Sequence, residues 1–283
     1  MTTAIAPSRL RAGDALATGT LGLRGKRGRT LLTAVGIAIG IAAMVSVVGI
    51  SASSRADLLA ELDELGTNLL QVTPGQSVFG DASTLPTTAP AMVRRVGPVT
   101  AAASTTSVGA SVRRTDLIPS DRTGGISVLA AEPELAGVLD ATLAAGRFLD
   151  DATGAYPTVV LGAVAAERMG ISSLEGSPRV WLGEQWFSVI GILDPLPLAP
   201  DVDRSALIGY EVAAERFDTD PSASAIWVRA EDDQIAPVRG VLPATANPEH
   251  PEEVSVTRPS DALEAEAQAD DALTALLLGL GLQ

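Results

Sequence analysis

The longest uncharged run sets the plan of the chain. No charged residue stands between Arg29 and Arg55. The stretch TLLTAVGIAIGIAAMVSVVGI (30–50) would form roughly 30 Å of helix, the thickness of a bilayer's hydrocarbon layer. A helix is the single-segment solution there, because it satisfies its own backbone where water is absent. Residues 30–54 are therefore predicted as a transmembrane helix. The competing reading is a cleaved signal peptide ending near Ser51–Ser54, but such a peptide has an apolar region of only about 7–15 residues. A buried helix of a soluble protein is the other alternative, disfavoured by the uncharged length beside a basic cluster. Within the span, Gly36, Gly40 and Ala43 share one helix face, a small-residue surface that lets a second helix approach closely. The plainer alternative is that Gly and Ala are frequent throughout.

Beyond the span the pattern changes. Leu58, Leu59, Leu62 and Leu65 recur at helical spacing in RADLLAELDEL and predict an amphipathic stalk, closed by Gly66. TNLLQV (67–72) reads as a strand ended by Pro74-Gly75, and 75–90 as a loop rich in Gly, Ser, Thr and Pro. A short helix is expected around 91–96, and strands near 99–106, 108–115 and 125–131. PTVVLGAVAAERMGI reads as strand, turn and helix with Gly170 closing it. VWL (180–182) and WFSVIGIL (186–193) flank a Gly-containing turn as a hairpin, with Trp186 expected to face inward. Three prolines in DPLPLAPD break the pattern. Strands at 205–210 and 224–229, a helix at 211–217, a linker at 246–253 and a last strand in VSVTRP follow. Ser260 and 262–271 begin a final helix, with Asp261 and Glu264 in its first turn. It runs into ALTALLLGLGLQ, an apolar run too short to cross a bilayer. This reads as a second membrane helix cut short; the alternative is that its leucines pack back on the domain.

Charge gives this pattern a direction. Residues 1–29 carry six basic groups against Asp14, a net +5, whereas the other 254 residues carry a net −19. Arg24, Lys26, Arg27 and Arg29 stand immediately before the span, so by the positive-inside rule that end is cytoplasmic and the acidic remainder lies outside, with the chain placed in the cell membrane. A formal charge of −14 excludes a general nucleic-acid binder, which needs a basic face. Aromatics are only 3%, so any core is built mainly from Ala, Val, Leu and Ile.

Candidate chemistry is sparse. There is no cysteine and a single histidine, His250, in a Pro/Glu linker, which leaves no common zinc set and no thiol nucleophile. GTLGLRGKR has Thr20 and Arg27 where a phosphate loop needs Gly and Ser or Thr. Asp201, Asp203 and Ser205 have the spacing of a calcium loop, but Ala206 and Val212 replace its Gly and bidentate Glu. No catalytic residue, cofactor site or metal site is predicted, and the chain is read as not an enzyme.

The order of pieces resembles the MacB/FtsX-type permeases of ABC transporters. These pieces are RGKRGRTLLTAVGIAIGIAAMV, then GTNLLQVTPG after a stalk, AGRFLDD (145–151) before VVLGAVAAERMGI, and WLGEQWFSVIGIL. The resemblance implies an α+β extracytoplasmic domain of mixed strands and helices in two subdomains, attached to an N-terminal transmembrane helix. It implies a cytoplasmic arm at 1–29 with an amphipathic elbow helix at Leu10–Leu23. The MacB-like core domain would be 55–258, with subdomains of about 55–151 plus 246–258, and 152–245. A stalk helix entering a truncated second membrane helix would occupy 259–283. The implied function is coupling of ATP hydrolysis by a separate cytoplasmic ABC ATPase to export or mechanotransmission. The implied partners are that ATPase, a second permease as homodimer or heterodimer, membrane lipid and an extracytoplasmic protein. The alternatives are an FtsX-like regulator binding a cell-wall hydrolase, and a single-pass adhesion or sensor protein.

Overall fold

The computed structural model describes residues 28–29, 31–43, 45–46, 49, 68–75, 83–119, 122, 124–265, 269 and 273. The chain divides into two compact units, Met1–Ala60 with Asp270–Gln283, and Glu61–Ala269. In the first, every described residue between 28 and 49 is helical and exposed. The Thr33 and Ser46 hydroxyls donate back to the carbonyls of Arg29 and Ala42 at 2.9 and 2.8 Å. Among the described residues no helix is long and apolar enough to cross a membrane. The rest of the expected span, the arm at 1–27, the stalk at 55–65 and nearly all of 270–283 lie outside the described residues.

In the second unit, strands form where β-branched and small residues alternate between two faces. The described strands are β1 Leu69–Pro74, β2 Val99–Ser107, β3 Val112–Arg113, β4 Ser127–Ala131, β5 Leu143–Gly146, β6 Thr158–Leu161, β7 Arg179–Leu182, β8 Gln185–Leu193, β9 Ser205–Gly209, β10 Ala225–Ala230 and β11 Val254–Thr257. They join one sheet in the order β11-β1-β10-β2-β4-β9-β6-β8-β7-β3, with β5 on β8. β4–β9 and β6–β8 are parallel; the other pairs are antiparallel. The helices are α1 Ala89–Val93, α2 Leu135–Val138, α3 Asp151–Gly154, α4 Ala163–Met169, α5 Pro200–Asp203, α6 Tyr210–Phe217 and α7 Ile235–Ala246, and residues 259–265 are helical as well.

The register Val72↔Ile226, Ile226↔Ser104, Thr106↔Ala130 and Ala130↔Ile208 carries one face of the sheet from β1 to β9. Two cores lie on that face. Leu70, Val72, Ile226 and Val228 pack with Val93 of α1 and Val238 and Leu242 of α7. Ile208, Leu161, Leu182 and Phe187 pack with Ala165 and Met169 of α4 and Val212 of α6. α4 ends as its sequence predicts, on Gly170 in the left-handed region, whose N–H caps the Ala166 and Glu167 carbonyls.

The fold class matches the expectation of a mixed domain, and several elements differ. Trp186 does not face inward. It is 39% exposed, while its neighbour Phe187 is fully buried. The two-residue turn Gly183-Glu184 pairs Trp181 with Trp186 and Val180 with Phe187, and only the second pair meets the core. The strand expected at 108–115 is reduced to β3, because the chain turns at Gly109, where the Ala110 N–H donates to the Val108 carbonyl at 2.7 Å. Helix α7 has no counterpart in the expected elements; its two prolines, Pro237 and Pro243, mask a helical pattern that starts from Ile235. With β10, α7 brings the chain back to the β1–β2 end of the sheet from Ala225 onward, where the sequence places the return at 246.

Candidate functional site

Between the two cores the covered face turns polar. β2 places Ala102, Ser104 and Thr106 on it, so hydroxyls follow alanine as the strand crosses from one core to the other. Tyr210, the first residue of α6, sets its phenol 3.1 Å from the Ser104 hydroxyl and 2.9 Å from that of Thr106. Thr106 in turn donates to the Ser222 carbonyl at 3.0 Å. Glu132 accepts from the Ser104 backbone N–H at 2.7 Å and pairs with Arg94, whose Nε donates to the Ala102 carbonyl at 3.0 Å. A continuous polar chain therefore runs Arg94–Glu132–Ser104–Tyr210–Thr106. Beside it opens a cavity of about 890 Å³ lined by Arg94, Thr100, Glu132, Pro133 and Val138.

Burial raises the Tyr210 pKa above its ordinary value of 10.0; the Ser104 and Thr106 hydroxyls oppose that shift and Glu132 adds to it. The seam is therefore held by a neutral phenol. Replacing Tyr210 with Phe should lower stability by about 1–2 kcal/mol, since Ser104 loses a partner inside the protein. The pH dependence has a definite sign. A raised folded pKa means stability that is whole below about pH 10 and falls as pH rises through the folded value. Urea midpoints of the unaltered protein and the Tyr210→Phe variant should therefore converge as pH rises above about 10; parallel curves would show that the phenol is not buried.

A second feature lies on the other side of the β7–β8 hairpin. Trp181 and Trp186 meet edge to face with centroids 5.1 Å apart, and the Arg179 guanidinium sits 5.3 Å from the Trp186 ring. Arg114 donates to the Arg179 carbonyl at 2.8 Å. An aromatic pair with arginine at an accessible position is the composition that carries binding energy in protein interfaces. Neither feature is visible in the sequence. Tyr210 and Glu132 carry no motif, and the hairpin pattern assigns Trp186 to the core.

Of the residues singled out by sequence, Gly36, Gly40 and Ala43 are helical and exposed, and a Cβ at either glycine would meet nothing within 4 Å. Arg29 is helical and exposed; Arg24, Lys26 and Arg27 lie outside the described residues. His250 Nδ1 stands 3.3 Å from Glu252 in an exposed turn. Asp203 accepts from the Ala163 N–H at 2.9 Å at the start of α4, and Ser205 donates to the Asp201 carbonyl at 2.5 Å, so this trio is engaged in local structure. Among the described residues no group of three His, Cys, Asp or Glu is arranged to hold a metal.

The family described as the MacB-like periplasmic core domain matches residues 30–243. The macrolide export ATP-binding/permease protein MacB of Rhodospirillum rubrum is 30% identical over 230 residues, which cover 78% of this chain and 35% of that protein. The MacB 1/2 protein of Paracoccus denitrificans is 29% identical over 79% of this chain and 34% of its own length. The chain thus spans about a third of the curated relatives it matches. Among solved structures, the periplasmic region of MacB from Actinobacillus actinomycetemcomitans superposes with a TM-score of 0.55 at 14% identity, over 74% of this chain and 97% of that one. The extracellular domain of the Gram-positive ABC-type transporter YknZ gives 0.52 at 16% identity, over 67% of this chain and 100% of that one. At these identities the two structures show the fold.

Proposed function

The chain belongs to the MacB-like periplasmic core domain family, and from that membership we propose that it is a permease subunit of an ABC transporter of the MacB/FtsX type. The observation that carries this reading is the extent of the family match, 30–243, which takes in the uncharged segment together with the mixed domain. In this reading residues 30–54 cross the cytoplasmic membrane, Arg24, Lys26, Arg27 and Arg29 hold the cytoplasmic end, and the acidic domain stands outside. A separate ABC ATPase supplies the energy. The chain's own contribution is mechanical: a second permease helix packs against Gly36, Gly40 and Ala43, and movement there is passed to the exterior sheet. Of the acidic and imidazole groups singled out by sequence, Asp203 accepts from the Ala163 N–H at the start of α4 and His250 contacts Glu252.

A second reading, the FtsX-like regulator that grips an extracytoplasmic protein, is favoured by the Trp181–Trp186–Arg179 surface. In that case the same ATPase-driven movement would be read by a bound partner and no substrate would be exported.

The test is assembly. Purified in detergent with an ATP-binding subunit, the chain should form a complex that hydrolyses ATP, and without that subunit it should not hydrolyse ATP. Changing Gly36 and Gly40 together to Ile should leave membrane levels normal and weaken the complex, because dispersion at close approach, not water expulsion, joins helices in lipid. Ile37→Leu with Ile41→Leu is the matched control and should be silent. Unchanged assembly of the glycine double variant would refute the packing face; failure to capture any ATP-binding subunit would refute the permease reading.

A further inference from the structure

Among the described residues, the second face of the sheet is covered only in part. α2 packs over β2 and β10, and α5 over β9. What remains open is a groove of about 480 Å³ whose lining includes Thr105, Ser107, Ser127, Trp227, Arg168 and Arg204. That volume lies within the range of small-molecule sites, roughly 300–1,000 Å³.

Trp227 gives the groove its chemistry. Across the sheet it pairs with Gln71 and Ala103, so it shares a face with Thr105 and Ser107. It is 2% exposed, and its Nε1 is buried without a hydrogen-bond partner. A donor buried in this way has given up its bond to water and gained none in return, so a ligand oxygen that the indole meets by a small shift of its ring toward the groove recovers that loss. Indole is a donor only, so whatever completes it must present an acceptor oxygen.

Two guanidinium groups stand on the same lining. Arg168 Nη1 donates to the carbonyls of Gly124 and Gly125 at 2.8 and 3.2 Å. Arg204 Nη2 is held by Asp201 at 3.2 Å. Each guanidinium has five N–H donors, so these contacts aim it without exhausting it. Asp201 is the one carboxylate on the described lining, and it is already paired. In a domain whose residues are strongly acidic overall, this lining is rich in donors and poor in negative charge. We propose that the groove is a binding site for a carboxylated, polyhydroxylated small molecule of the sugar-acid class. Its carboxylate meets Arg168 and Arg204, its hydroxyls meet the Ser and Thr side chains, and one oxygen accepts from Trp227. The proposal stands on the groove alone and does not depend on the permease reading.

The full chain in lipid nanodiscs would be titrated with digalacturonate, with the neutral digalactose and with inorganic phosphate. Digalacturonate should bind, the neutral sugar and phosphate should each bind at least about 10-fold more weakly, and Arg168→Gln with Arg204→Gln should reduce the affinity for digalacturonate about 10-fold, as loss of a charged hydrogen bond predicts. Trp227 can be watched without altering it. The chain has three tryptophans, so Trp181→Phe with Trp186→Phe leaves Trp227 as the sole indole, and its emission should shift on saturation. Absent binding, equal binding of the neutral sugar or of phosphate, an unaffected arginine double variant, or saturation with unchanged Trp227 emission would each overturn the assignment.

Discussion

Phe187→Ala should cost the exterior domain about 3–5 kcal/mol, because a fully buried aromatic is removed and its cavity only partly closes. Trp186→Ala, the preceding residue on the same strand, should cost about 1 kcal/mol or less, the scale of a cross-strand aromatic pair. Residue size alone would rank the two the other way, since tryptophan is the larger side chain. The ranking is inverted by the pleat. Phe187 is fully buried in the core of β6, β7, β9, α4 and α6 and stacks near Phe217 at 6.1 Å. Trp186 points to the opposite face and touches Trp181 and Arg179. Urea unfolding of residues 61–269, followed by far-ultraviolet circular dichroism, would measure both. A reversed ranking, with Trp186→Ala the costlier change, would mean that the hairpin register is slipped by one residue, since a slip exchanges the two faces.

That contrast marks how far the sequence can be read. Strand–turn–helix at 158–169, the hairpin at 179–193 and the αL cap at Gly170 are legible because each is local: β-branched runs, a turn glycine, a helical spacing. The face of the hairpin is not legible, because VWL and QWFSVIGIL are apolar on both sides and alternation assigns no inside. Helix α7 escapes the sequence for a different reason. Pro237 sits in its first turn, where a missing N–H costs nothing, and Pro243 lies near its last turn. Both read as breakers in a window scan. The polar seam is beyond sequence altogether, since it joins residues as far apart as Arg94 and Tyr210 through the order of strands. A quieter signal is present as well. VAAER occurs at 164–168 and again at 212–216, each time after a strand and a glycine, and the structure uses both copies as the same strand–glycine–helix unit on neighbouring antiparallel strands β6 and β9.

The second copy of that unit supports the other large effect: Gly209→Ala should destabilise the domain by about 3 kcal/mol or more, at or above the upper end of ordinary overpacking. Gly209 closes β9 and caps α6 with φ −71° and ψ 151°, an extended conformation open to any residue. Backbone freedom is therefore not why glycine stands there. A Cβ would fall 2.1 Å from the Gly154 carbonyl oxygen and 2.4 Å from the Gly154 Cα, both backbone atoms of α3 that no side-chain rotation can move. Either α3 or α6 must shift, and α6 carries Tyr210 at its first position, so the phenol would be drawn away from Ser104 and Thr106. The substitution should thus weaken the seam as well as the core, and a second change of Tyr210→Phe should add less than it does alone. Gly137→Ala is the control. It lies in the exposed part of α2 with nothing within 4 Å of a new Cβ, and removing glycine from a helix should leave stability unchanged or raise it by about 0.5–1 kcal/mol. If Gly209→Ala proves as mild as Gly137→Ala, then α3 and α6 are not in contact through Gly154, and the close approach that aims Tyr210 into the seam does not exist.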